Sequence, residues 1–136
     1  MGAVVTTDFT AIMHRPAFEA YVLSLPAATL VRQWRDDSVA KVGGKIFCLL
    51  DGDPGEIWLK VSPMSYALMT EMDGIRPAPY FARAGWVAIG PDSALSEDEI
   101  RAYIVAAHGL IAAKLPRKLR TALGLDQALM AGSHKP

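Results

Sequence analysis

The stretch Val39-Ala-Lys-Val-Gly43-Gly44-Lys-Ile-Phe-Cys-Leu-Leu50 decides how this chain folds. Two runs rich in β-branched and large apolar residues flank a Gly-Gly pair. Such a pair supplies the positive φ angles of a tight hairpin turn. The simplest register pairs Val42 with Lys45, Lys41 with Ile46 and Ala40 with Phe47. Cross-strand partners share a face. That register sets Lys45 beside Ala40, Val42, Phe47 and Leu49, and Lys41 beside Val39, Ile46 and Cys48. Both faces are mostly apolar, so each should be covered at least in part.

Working outward, Asp51-Gly52-Asp53-Pro54-Gly55 is a run of turn residues. Beyond it Ile57, Leu59 and Val61 alternate with Trp58 and Lys60, the pattern of a half-buried strand. Ser62-Pro63 reads as an N-cap and first helical residue. Met64, Ala67, Leu68 and Met72 would form the apolar face of that helix, and Gly74 its stop. Arg76-Pro77-Ala78-Pro79-Tyr80 must be extended or turned, since proline restricts itself and its predecessor. Trp86–Ile89 is the last strand. Ser96 and Glu99 form a capping box for a long helix with Ile100, Tyr103, Ile104, Ala107, Leu110 and Ile111 inward. Pro116 opens a short final helix, with Leu119 and Leu123 inward and Gly124 as its end. On the other side of the hairpin, a strand over Thr29–Trp34 precedes a turn at Arg35–Ser38. Before it, Pro16 opens a helix with Phe18, Tyr21, Val22 and Leu25 on one face.

The expected order is α-β-β-β-β-α-β-α-α. Short loops between successive strands imply antiparallel pairing. The reading is an α+β fold: two layers, an antiparallel sheet of about five strands, and helices packed on one face. The 136 residues make one domain, 1–136, with its core at about 16–124 and short tails. An apolar content of 51% fits a globular chain. No apolar run approaches the roughly 20 residues that cross a bilayer. The opening MGAVVTTDF lacks the charged and apolar regions of a secretory signal. The lone Cys48 cannot form an internal disulfide, which points to a reducing compartment, the cytoplasm.

Formal net charge is zero, but residues 1–99 hold eight Lys or Arg against thirteen Asp or Glu. Residues 100–125 hold Arg101, Lys114, Arg117, Lys118 and Arg120 and no acid. Catalytic signatures are missing: there is no HExxH, CxxC or GxSxG. Of His14, His108 and His134, two lie near the tails. Asp36-Asp37 suits a turn, and Glu97-Asp98-Glu99 suits a helix N-terminus. No spacing brings metal ligands together. The expectation is a binding domain without cofactor, metal or reaction.

Four blocks, KVGGKIF (Lys41–Phe47), WLKVSP (Trp58–Pro63), GIRPAPYFARAGWV (Gly74–Val87) and AAHGLIAAKLP (Ala106–Pro116), stand in the order found in the MmcQ/YjbR family. The chain resembles that family over roughly residues 16–124. The resemblance implies a small α+β domain, likened to frataxin-like domains, and DNA binding through a double-wing surface.

On that expectation Lys41, Lys45, Lys60, Arg76, Arg83, Arg117 and Lys118 are the candidate phosphate contacts, with Trp34 or Trp58 available for stacking. An alternative partner is a small anionic or aromatic ligand. It would lie in a cleft lined by Trp34, Lys45, Tyr80, Arg83, Trp86 and His108. His108 falls about 80° from Ile100 on the helix, beside the buried stripe. It would either bond to backbone or edge that cleft. A third reading is an interaction module that uses the outer sheet face on a protein or a second copy.

Overall fold

The computed structural model describes residues 11–79 and 84–126. After a short 3-10 turn (Ala11–Met13) comes α1 (Arg15–Leu23). Then follow β1 (Ala28–Gln33), β2 (Asp37–Val42), β3 (Lys45–Leu50) and β4 (Ile57–Lys60). The chain continues through α2 (Pro63–Met69), β5 (Ile75–Pro77), β6 (Trp86–Ile89), α3 (Glu97–Ala112) and α4 (Arg117–Ala122). One antiparallel sheet of six strands runs in the order β1-β2-β3-β4-β6-β5 and does not close into a barrel. The α+β class is as expected. The added strand is β5, in the proline-rich segment. It forms the sheet edge beside β6, where Pro77 is tolerated because an edge strand leaves one side of its backbone unpaired.

The Gly43-Gly44 turn forms with φ of +59° and +82°. Val42 pairs with Lys45 and Lys41 with Ile46, but Ala40 pairs with Cys48 rather than Phe47. Phe47 is the extra residue of a β-bulge. The expected faces are therefore corrected beyond the second pair. Ala40, Val42, Phe47, Cys48 and Leu50 all enter the main core, while Val39 and Leu49 are buried outside that cluster. A plain alternation would have left either Phe47 or Cys48 on the far side. Trp34 also moves: it sits in the β1–β2 turn at φ +61°, and Asp37 and Ser38 belong to β2.

The helices cover one face of the sheet. Phe18 and Val22 of α1, Met69 of α2, and Ile100, Ile104, Ala107 and Ala112 of α3 close over Leu50, Ile57, Leu59, Val87 and Ile89. The capping box at α3 is present, with Glu99 accepting from the Ser96 N–H and Ser96 from the Glu99 N–H. The face expected of α2 is corrected. Met64 and Leu68 are 74% and 65% exposed, and Met69 is buried. Two apolar stripes run along this helix, and spacing alone could not choose between them. Leu123 is exposed too, while Leu119 packs on the core.

A polar network ties α1 to the β1–β2 hairpin. Arg15 donates to Ser38 Oγ at 2.6 Å and to the Asp36 carbonyl at 2.9 Å. The buried Ser38 hydroxyl donates to Glu19 at 2.7 Å, and Arg32 donates to the same oxygen at 2.8 Å. The Arg32 hydrogen bond holds the Glu19 carboxyl below its ordinary 4.5, against the opposing effect of burial. A depressed acid stabilises fully above its ordinary value and loses that contribution as pH falls through the folded value. Asp37 and Asp51 are pushed up by burial and act in the opposite sense. Glu19→Gln is expected to lower stability at pH 7 by about 1 kcal/mol. Urea unfolding should show that gap narrowing as pH falls below the ordinary carboxylate value. A gap that persists in acid contradicts the assignment.

Candidate functional site

The strand register divides the charges between two ends of the sheet. One end carries the β1–β2 turn, the β3–β4 loop and the start of α3. The other carries the Gly43-Gly44 turn, the end of β4, the start of β6 and the end of α3. Contacts fix this second end. A Cβ at Gly43 would lie 2.5 Å from the Leu115 side chain, so the hairpin tip sits against the α3–α4 junction. Lys60 pairs with Trp86 across β4–β6, and its ammonium donates to the Ala84 carbonyl.

At the first end most cations meet acids, while Arg35, exposed on the β1–β2 turn, is in no ion pair among the described residues. Arg32 bonds Glu19 and Asp36, Arg76 bonds Glu56 at 2.6 Å, and Arg101 bonds Glu97 at 2.8 Å. Asp53 accepts from the Arg15 N–H and lies 3.2 Å from the His14 ring. At the hairpin end stand Lys41, Lys45, Lys60, Lys114, Arg117 and Lys118. Among the described residues none of these is in an ion pair. Asp126 is the acid near this end, and Arg120 and Thr121 hold it. Burial, and then the Lys114 charge, push Lys60 below its ordinary 10.5. Two positive groups thus face each other without a described counter-ion between them.

Five of the proposed phosphate contacts therefore share an end: Lys41, Lys45, Lys60, Arg117 and Lys118. Arg76 does not join them. It stands on the edge strand at the acidic end, bonded to Glu56. Arg83 lies outside the described residues. Lys114 joins the group although the sequence reading left it off the list. The signal was present, because Lys114 lies in the acid-free stretch 100–125.

The residues of the expected cleft are spread out. Trp34 is 58% exposed on the β1–β2 turn, at the acidic end. Trp86 is buried on the outer face with Ala78 and Ala88, beside Trp58 and Ile46. His108 is buried on the helix side, on the opposite face of the sheet. Its Nε2–H donates to the Pro26 carbonyl at 2.8 Å, and its ring meets Phe47 edge-on at 5.1 Å. It holds the α1–β1 connection to α3. Lys45 stands apart at the hairpin tip, and Tyr80 and Arg83 lie outside the described residues.

Cys48 is fully buried and its thiol is pushed well above the usual range by desolvation, the opposite of what a reactive thiolate needs. No described group of three or more His, Cys, Asp or Glu could hold a metal ion. No helix among the described residues is long and apolar enough to cross a membrane. A groove of about 370 Å³ opens between α2 and α3, lined by Val61, Ser62, Ser65, Tyr103, Ala106, Gly109, Leu110 and Ala113. Leu110 faces this groove half-buried, where spacing had placed it in the core.

The open antiparallel sheet with all its described helices on one face defines a small two-layer α+β domain. The chain belongs to the YjbR family, whose model matches residues 23–110. Among solved structures it is similar to a Deinococcus radiodurans protein with a DUF419 domain. That match has a TM-score of 0.75 and 20% identity, over 87% of this chain and 93% of the other. It is also similar to a Pseudomonas syringae protein, with a TM-score of 0.59 and 22% identity over 71% of this chain and 97% of the other. Both likenesses concern the fold. No curated protein matches the chain.

Proposed function

We propose that this chain is a nucleic-acid-binding domain that grips the DNA phosphate backbone with its hairpin end. The observation that carries the reading is the set of six cations there, Lys41, Lys45, Lys60, Lys114, Arg117 and Lys118, with no ion-pair partner among the described residues. Elsewhere Arg32, Arg76 and Arg101 are already engaged with carboxylates, as is Arg120 at the hairpin end itself. Cations not satisfied internally are the ones that gain by displacing counter-ions from a polyanion. The opposite, acidic end would be repelled, so the protein would approach end-on. The aromatic most available for stacking, Trp34, is at the wrong end, so the contacts should be to backbone and carry little sequence preference. Such a role belongs in the cytoplasm, in keeping with the buried lone thiol.

Titration of labelled duplex and single-stranded DNA against salt tests this. With four to six phosphate contacts, log K against log salt should slope at about −4 to −5 for duplex. Affinity should lie in the range of about 1–100 µM near physiological salt. The double substitution Lys45→Glu with Lys118→Glu, both at exposed positions, should weaken binding at least about tenfold and flatten the slope by about 2. Arg76→Ala should change neither. Binding that is absent at tens of micromolar in low salt, or that Arg76→Ala weakens as much as the lysine pair, overturns the reading.

A further inference from the structure

The two edges of the sheet are not alike. β5 is three residues long, contains Pro77 and has its one charge, Arg76, bonded to Glu56. Short length and proline blunt an edge against further pairing. β1 has neither device. It runs for six residues, Ala28–Gln33, without proline, lysine or a bulge in its pairing with β2. Its one charge, Arg32, folds back onto Glu19 and Asp36. No described strand pairs with its outer side.

Seven large apolar side chains are exposed among the described residues, and three of them, Leu23, Val31 and Trp34, adjoin this edge. Val31 is in the strand. Trp34 follows the end of the strand, in a turn that Arg15 and Arg32 fasten through Asp36. Its φ is +61°, a conformation that a bulky residue rarely holds. Leu23 stands at the start of the strand. It follows Glu19 by one turn on the same side of α1, and Glu19 holds Arg32 near the strand's far end.

We propose that β1 pairs with the β1 of a second copy of this chain, antiparallel about a two-fold axis through Val31, so that the two sheets join. The placement of the apolar residues selects this partner. Antiparallel pairing brings the end of one β1 to the start of the other, so each Trp34 meets the other copy's Leu23. Charge selects it too. β1 ends at the acidic end of the sheet and starts at the hairpin end, where Ala28 pairs with Val42. The two-fold therefore sets opposite poles side by side, twice, and a formal net charge of zero adds no overall repulsion. The register is also compatible. Cross-strand partners share a face, and an axis at Val31 sets Thr29 opposite Gln33 and Leu30 opposite Arg32, with no like charges facing. The contact is small. Pairing over residues 29–33 with two Trp34–Leu23 contacts falls below the roughly 1,200 Å² of stable complexes, so a Kd of about 0.1–1 mM is expected. In dilute solution each molecule is on its own. The inference is independent of the nucleic-acid reading and uses none of its six cations as contacts.

Sedimentation equilibrium of the full chain, from about 10 µM to about 2 mM in about 0.1 M salt, tests the pairing. The mass should rise from 14.7 kDa toward that of a dimer and no further. Amide NMR shifts that depend on concentration should centre on residues 29–34. Val31→Lys sets two ammonium groups against each other at the axis and should weaken association at least about tenfold. Trp34→Gly removes the contact with Leu23 and supplies a residue at ease with positive φ. It should weaken association about three- to tenfold while leaving the urea midpoint unchanged or raised. Met64→Lys with Leu68→Lys, on the exposed side of α2, should leave association as it was. Trp34→Gly should bind DNA as the unsubstituted chain does, so failure of either reading leaves the other standing. A mass that stays at 14.7 kDa throughout, a mass that climbs past the dimer, or association kept in Val31→Lys but lost in the α2 pair overturns the proposal.

Discussion

Phe47→Ala is expected to lower the stability of this domain by about 3–5 kcal/mol. Phe47 is fully buried and is the additional residue of the bulge in β3. Its ring meets His108 edge-on, so truncation removes both packing area and an aromatic pair. The space left behind cannot collapse easily, because Cys48 is already turned into the same cluster. For a domain whose whole stability is roughly 5–15 kcal/mol, the loss is a large fraction. Urea unfolding at pH 7 measures it. Phe47→Leu keeps most of the volume and should lose only about 1–1.5 kcal/mol. If Phe47→Ala loses less than about 1.5 kcal/mol, Phe47 is not the core anchor described above.

Gly43→Val should cost about 2–5 kcal/mol, the second largest effect. Two terms add. A β-branched residue at φ +59° meets a backbone conformation that L residues avoid, at about 1–2 kcal/mol. Its Cβ would also come within 2.5 and 2.9 Å of the two Leu115 methyl carbons. Overpacking of that kind costs about 1–3 kcal/mol. Leu115 is 3% exposed and has little room to retreat. Gly44→Ala is the control. Its φ is +82° but nothing lies within 4 Å, so only the backbone term applies. The difference between the two variants, read from urea midpoints, is the clash together with the extra strain that a β-branched side chain meets at positive φ. Because the Gly43–Leu115 contact sets the hairpin tip against the α3–α4 junction, Gly43→Val should also weaken DNA binding while Gly44→Ala does not. Equal losses in the two variants contradict the contact.

These two glycines show how much could be read before the fold was known. A Gly-Gly pair between β-rich runs announces its own turn, and Ser96 with Glu99 announces its own helix. Both depend on neighbours within four residues, where chemistry and spacing suffice. The bulge at Phe47 depends on what lies above the sheet. Two large apolar residues in succession, Phe47 and Cys48, can both be buried on one side only if the strand gains a residue there. The face of α2 was likewise ambiguous, since Met64 and Leu68 are as apolar as Met69. The basic end was partly legible. Lys41, Lys45 and Lys60 could be assigned to strands, and Arg117 and Lys118 to the last helix. What spacing could not reveal is which cations are already neutralised. Arg76 differs from Lys45 because Glu56, twenty residues back, holds it.

The separation of acids and bases along the strands makes this a neutral molecule with two poles. Its isoelectric point of about 6.8 says nothing of how it meets a charged surface. A cation exchanger should retain it by one pole and an anion exchanger by the other, at a pH where a uniformly mixed surface would pass through both. At low ionic strength the poles of neighbouring molecules attract head to tail. Near 0.1 M salt the field is screened beyond about 10 Å and each molecule stands alone. Solubility that rises with added salt is the macroscopic sign of that arrangement.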